Sequence, residues 1–119
     1  MNTIYMMMDE KRHFALVKIG FTSNLESRIY QYTTHNPLIE CISVVNTMEK
    51  SKRKVEKMFH EEVEKMGLEF VTAVIDGKTT EWFKVDYNSQ LYTDIREKGL
   101  NAFKNGKSRK NLGTFVLVK

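Results

Sequence analysis

Apolar residues first gather in two runs, Thr3-Ile4-Tyr5-Met6-Met7-Met8 and Phe14-Ala15-Leu16-Val17-Lys18-Ile19-Gly20, separated by the polar stretch Asp9 to His13. Two apolar runs joined by a short polar loop predict a β-hairpin, with Gly20 closing its second strand. The period then changes. Ser23 and Glu26 have capping-box spacing, so a helix should begin near Asn24, and Pro37 stops it by Asn36. Residues 38–46 alternate as a third strand. Thr47 can cap a second helix that runs to about Met66 and ends at Gly67, with an apolar stripe of Met48, Val55, Met58, Phe59, Val63 and Met66. Residues 69–85 again read as strand, with a tight turn at Asp76-Gly77. Asp86 looks like the cap of a third helix over residues 87–98, and Gly99 lies just past its end. Thr114 to Val118 could add a terminal strand. The order β-β-α-β-α-(β)-α predicts an α+β domain, a small sheet with helices packed on it.

With 119 residues there is room for one hydrophobic core. The expected division is a domain over 1–99 and a basic C-terminal extension over 100–119. From Arg96 to Lys119 seven Lys or Arg face a single acid, whereas the preceding residues are slightly acidic, so the net +4 is concentrated at one end. A basic end on an acidic body suits a polyanion, and equally suits a solvated tail. The single cysteine, Cys41, has no disulfide partner within the chain and sits among strand-like apolar neighbours, as a buried thiol would. No apolar run approaches the ~20 residues of a membrane helix, and the N-terminus lacks a signal peptide's pattern, so a cytoplasmic location is expected.

Candidate chemistry starts at Arg28. It shares the first helix's apolar face with Leu25, Ile29 and Tyr32, where an arginine needs an anionic ligand or an aromatic ring to stack on. Lys18 interrupts an apolar strand, and alternation sets it opposite Val17 and Ile19, on the side of Leu16. There it could neutralise a phosphate or ease the ionisation of a nearby phenol. Tyr5 by itself reads as a core aromatic. Glu81, flanked by Trp82 and Phe83, is a shielded carboxylate that needs a cation, either a lysine or a divalent metal; one carboxylate completed by water and phosphate suits Mg²⁺. His60, one helical turn after Glu56, fits a surface or capping role as well as a chemical one. There is no phosphate-binding glycine loop, dinucleotide fingerprint or CxxC, which argues against an NTPase, a Rossmann enzyme or a zinc finger.

Taken together, these segments resemble the GIY-YIG endonuclease superfamily. Thr3-Ile4-Tyr5 stands at the first motif, with threonine in place of its glycine, and Val17-Lys18-Ile19-Gly20 at the second. The stretch Lys18-Ile19-Gly20-Phe21-Thr22-Ser23-Asn24-Leu25-Glu26-Ser27-Arg28 follows the pattern Lys-Ile-Gly-x-Thr-x-Asn-Leu-x-x-Arg of a phage and bacterial branch. Glu56 and His60 meet that branch's Glu-x-x-x-His, and Glu81 to Phe83 its Glu-Trp-Phe. The resemblance implies a three-stranded antiparallel sheet flanked by helices. It also implies a site of Tyr5, Lys18, Arg28, Tyr32 and Glu81 around one Mg²⁺ or Mn²⁺ held by Glu81, with His60 behind the reacting groups. Tyr5 would take a proton from water, Arg28 would meet the charge building on phosphorus, and Tyr32 would position the water.

The expected function is a metal-dependent endonuclease acting on DNA with low sequence selectivity, since little chain is left for a recognition domain. Lys104, Lys107, Arg109 and Lys110 would supply phosphate contacts. A monomer would nick and a homodimer would cut both strands; RNA as a substrate stays open. The alternatives are a nucleic-acid-binding protein that keeps the fold without catalysis, and a small protein that binds and inhibits another macromolecule.

Overall fold

The computed structural model describes residues 2–47, 52–75, 77–103 and 115–117. The first strand, β1 (Asn2–Glu10), pairs antiparallel with β2 (Ala15–Thr22) in the predicted hairpin, Tyr5 opposite Gly20 and Met7 opposite Lys18. On its other side β1 pairs with β3 (Glu40–Thr47), with a bulge between Met6 and Met7. Being central, β1 is covered on both faces. Ile4, Tyr5, Met6, Met7 and Met8 are all buried, which explains why the run is apolar rather than alternating.

The sheet is larger than the three strands expected. The strand-like stretch at 69–85 forms a second hairpin, β4 (Phe70–Ile75) and β5 (Lys78–Val85), that extends the sheet beyond β2. A short β6 (Phe115–Leu117) pairs with β3 at the opposite edge. All pairings are antiparallel, in the order β4-β5-β2-β1-β3-β6. Gly77 supplies the positive φ of 73° that the β4–β5 turn needs; the other member of the expected turn, Asp76, lies outside the described residues.

The helices are α1 (Leu25–His35), α2 (Lys52–Lys65) and α3 (Gln90–Lys98), the last running into a 3₁₀ turn at Gly99–Phe103. Asn24 caps α1 by accepting from the Ser27 N–H at 3.0 Å. Three expected caps move: α1 is capped by Asn24 rather than by Ser23 of the expected capping box. Thr47 ends β3 rather than opening α2, and Ser89, not Asp86, caps α3, because Asp86 already accepts the Asn88 N–H in the preceding turn.

Strand alternation sorts the core onto two faces. Ile4, Met6, Val17, Ile19, Val45, Phe83 and Val85 pack with Phe59 and Val63 of α2, Ile95 of α3, and Leu100 and Phe103. The packed body therefore continues past the expected boundary at residue 99. The other face carries Tyr5, Met7, Cys41, Val44 and Trp82 against Tyr32, Leu25 and Ile29 of α1. At the hairpin end Arg96 of α3 joins Glu10 and Glu40, the latter at 2.8 Å, fastening the helix to β1 and β3.

Candidate active site

A split in the sheet makes the site. Pairing between β2 and β5 covers only Ala15–Val17 against Phe83–Val85, although β2 runs on to Thr22 and β5 starts at Lys78. Beyond Val17 the two strands part, leaving a cavity of about 350 Å³. It is lined from β1 and β2 by Tyr5, Lys18 and Gly20, from α1 by Arg28, Gln31 and Tyr32, from the second hairpin by Lys78 and Thr80, and from α2 by Glu56.

Each placement has a local cause. Tyr5 and Gly20 face each other across the hairpin, and the phenol lies over the glycine: a Cβ there would come within 2.6 Å of Tyr5 Oη. Gly20 is thus a floor for the Tyr5 phenol. Lys18 lies two residues before it on the same strand face. Arg28 and Tyr32, one turn apart on α1, descend onto that face. The Tyr5 and Tyr32 hydroxyls lie 3.3 Å apart, and Trp82 packs edge-on to Tyr32 with ring centres 5.7 Å apart. Burial, then the neighbouring Tyr32, raise the Tyr5 pKa well above that of an ordinary phenol, while the Arg28 guanidinium pulls it back down. At rest Tyr5 is a neutral phenol.

Glu56 enters through the gap between β2 and β5. It shares one stripe of α2 with Phe59, His60 and Val63, of which Phe59 and Val63 are buried in the core. Nε2 of His60 donates to the Ile19 carbonyl at 3.1 Å, and Oε1 of Glu56 lies 3.9 Å from the same nitrogen. The carbonyl can only accept, so this bond fixes the proton on Nε2. His60 pins α2 to β2 just where β2 has lost its neighbour. Oε2 of Glu56 is buried and has no hydrogen-bond partner among the described residues. Desolvation raises the Glu56 pKa, against the opposing pull of His60 and Lys18.

Tyr5, Lys18, Arg28 and Tyr32 therefore meet in one cavity, as expected, but Glu81 does not join them. The twofold repeat of β5 turns Thr80 and Trp82 toward α1 and Glu81 the other way, where it lies with Ile19, His60, Val63 and Phe83. The carboxylate in the cavity is Glu56. A sequence signal for it existed: Glu56 sits on the same helical face as the apolar Phe59 and Val63, the anomaly that singled out Arg28. Gln31, Lys78 and Thr80 carried no such signal. Lys104, Lys107, Arg109 and Lys110 lie outside the described residues.

Residues 2–98 match the family model of the T5orf172 domain. The chain belongs to the T5orf172 domain family. T5orf172 domains occur in phage and bacterial proteins with endonuclease-like, GIY-YIG-related associations. The matched stretch of this T5orf172 domain contains every element that lines the cavity. No curated protein and no solved structure matches the chain. Among the described residues of this T5orf172 domain, no helix is long and apolar enough to cross a membrane.

Proposed function

We propose that this T5orf172 domain is a divalent-metal-dependent endonuclease that hydrolyses phosphodiester bonds in DNA with low sequence selectivity. The observation that carries the reading is the cavity itself: two phenols 3.3 Å apart, a lysine, an arginine and a partnerless carboxylate oxygen share one opening. Lys18 and Arg28 beside the Glu56 carboxylate suit a phosphodiester whose charge is met from one side and whose metal is held from the other.

Glu56 fits a divalent cation because its buried Oε2 lacks the partner that a buried carboxylate needs. No group of three or more metal-binding side chains occurs among the described residues, so the ion would be held by this one carboxylate, substrate and water. That is the Mg²⁺ mode, and Mn²⁺ would serve in the same place. When bound, the ion supplies Lewis-acid polarisation of the phosphate. Arg28 and Lys18 hold the non-bridging oxygens and meet the charge that grows on them. Tyr5 would take the proton of the attacking water as a phenolate, after releasing its own proton to solvent. Its raised pKa means that it can do so only when positive charge gathers beside it, a condition Arg28 meets in part. Tyr32, in contact with the Tyr5 hydroxyl, orients it. His60, bonded to β2 and next to Glu56, positions that carboxylate.

The test is cleavage of supercoiled plasmid with Mg²⁺ or Mn²⁺, running wild type beside Glu56→Gln, Arg28→Ala and Glu81→Ala. Metal-dependent cutting that Glu56→Gln and Arg28→Ala abolish, and Glu81→Ala leaves within a few-fold, supports the assignment. Cleavage that depends on Glu81 and not Glu56 would overturn the role given to Glu56. No cleavage of any DNA by wild type would end the nuclease reading.

A further inference from the structure

The wall of the cavity formed by the β4–β5 hairpin has no part in the chemistry above, yet it is polar. Thr80 lines the cavity, and its hydroxyl oxygen is buried with no hydrogen-bond partner among the described residues. Leaving a buried hydroxyl unpaired destabilises a fold, and the residue paired with Thr80 across the hairpin is Ala73, which offers no polar side chain. Lys78 and Thr79 lie at the turn end of the same strand, and Gln31 approaches from α1. An ammonium, a hydroxyl and a carboxamide, from Lys78, Thr80 and Gln31, present donors along one side, and the lining carboxylate, Glu56, comes from α2. A ligand of acceptor oxygens and negative charge matches that wall. The cavity is also roomy: about 350 Å³ is roughly ten water volumes, more than one phosphate group occupies.

We propose that Thr80 and Lys78, with Gln31 opposite, hold the phosphate next to the scissile one, so that the site takes a strand segment with two consecutive phosphates. This rests on the nuclease reading for the position of the scissile phosphate. Hydroxyl and lysine contacts to phosphate fix register without reading sequence, which agrees with low selectivity. Thr80 acts here as a binding residue and takes no part in bond breaking.

The test measures binding by fluorescence anisotropy, with Ca²⁺ replacing Mg²⁺, on a fluorescein-labelled single-stranded DNA 12-mer. One form has every phosphate charged; the other has alternate phosphates neutralised as methylphosphonates, so that no charged phosphate has a charged neighbour. Thr80→Val should weaken binding of the first about five- to tenfold and of the second less than twofold, while Thr80→Ser stays within twofold of wild type on both. Lys78→Ala, an exposed substitution, should lower the salt slope by about one on the fully charged strand only. Thr80→Val should also raise the urea midpoint, because it removes an unpaired buried hydroxyl. Equal binding by Thr80→Val and wild type on both strands would mean that solvent alone satisfies the hydroxyl, and equal losses on both would mean a structural role; either overturns the proposal. Cleavage is followed in parallel with Mg²⁺. Wild type that binds with the predicted contrast but never cuts would refute the nuclease reading and leave the subsite standing.

Discussion

Replacing Gly20 with alanine tests whether this glycine is the seat of the Tyr5 phenol. The added Cβ would lie 2.6 Å from Tyr5 Oη and 2.7 Å from Cζ, whereas ordinary contact begins at 3.4 Å, so the ring tip must retreat by at least 0.8 Å. The ring has little room to yield, since Tyr5 is 1% exposed and flanked by Tyr32. Overpacking of this kind costs about 1–3 kcal/mol. A displacement near 1 Å at a reacting group can cost roughly 10²-fold in rate. Gly20→Ala should therefore destabilise by about 1–3 kcal/mol and slow plasmid cleavage by about 10²-fold. Stability is read by urea unfolding through Trp82, the single tryptophan, which lies against Tyr32. The decisive arm is the Tyr5→Ala background, where the clash is gone. There Gly20→Ala should be neutral, or stabilising by about 0.4–1 kcal/mol through the unfolded chain. Equal destabilisation in both backgrounds would refute the seat, and unimpaired cleavage by Gly20→Ala would refute the position given to the phenol.

Further outcomes follow from the titrating groups. Glu56→Gln should cut metal-dependent cleavage by 10²-fold or more while raising stability at pH 7 by about 0.5–2 kcal/mol, the usual trade between a functional site and its fold. The sign follows from linkage: the folded pKa of Glu56 is raised above 4.5, so wild-type stability is fullest below that value and falls as pH rises through the raised one, a fall that Glu56→Gln should lack in urea titrations at stepped pH. Tyr5 should remain a phenol after ordinary tyrosines have ionised near pH 10, so the ultraviolet phenolate titrations of wild type and Tyr5→Phe should coincide up to that pH. Mg²⁺ should bring the Tyr5 ionisation to lower pH in wild type but not in Glu56→Gln. Cys41, buried and with its thiol pushed up to about 11, should react with a disulfide reagent only as fast as the chain opens, so its labelling rate in mild urea should follow unfolding. Fast labelling of the native protein would contradict its burial.

Much of the layout was legible in local pattern. A polar break between two apolar runs specified the first hairpin, and capping residues at 23–24 together with Pro37 bounded α1, although the cap is Asn24 and not Ser23, because capping and proline sterics act over a few residues. Alternation correctly set Lys18 on the side of Leu16, since strand geometry leaves a side chain only two directions. The Thr47 and Asp86 caps failed for a matching reason: a residue with capping chemistry can serve a strand end or a turn equally well, and the neighbouring pairing decides.

What the sequence by itself determined was where most of the strands and helices lie; the resemblance, not the local pattern, pointed to Tyr5, Lys18, Arg28 and Tyr32 as one group. Which carboxylate completes that group was a tertiary decision. Glu81 has the more suggestive neighbours in sequence, but β5 turns it to the far face, while Glu56, on a helix that packs against that same far face, reaches the cavity through the opening where β2 and β5 part. A gap between strands is a property of two hairpins that twist apart after three paired residues, and no local run of residues encodes it.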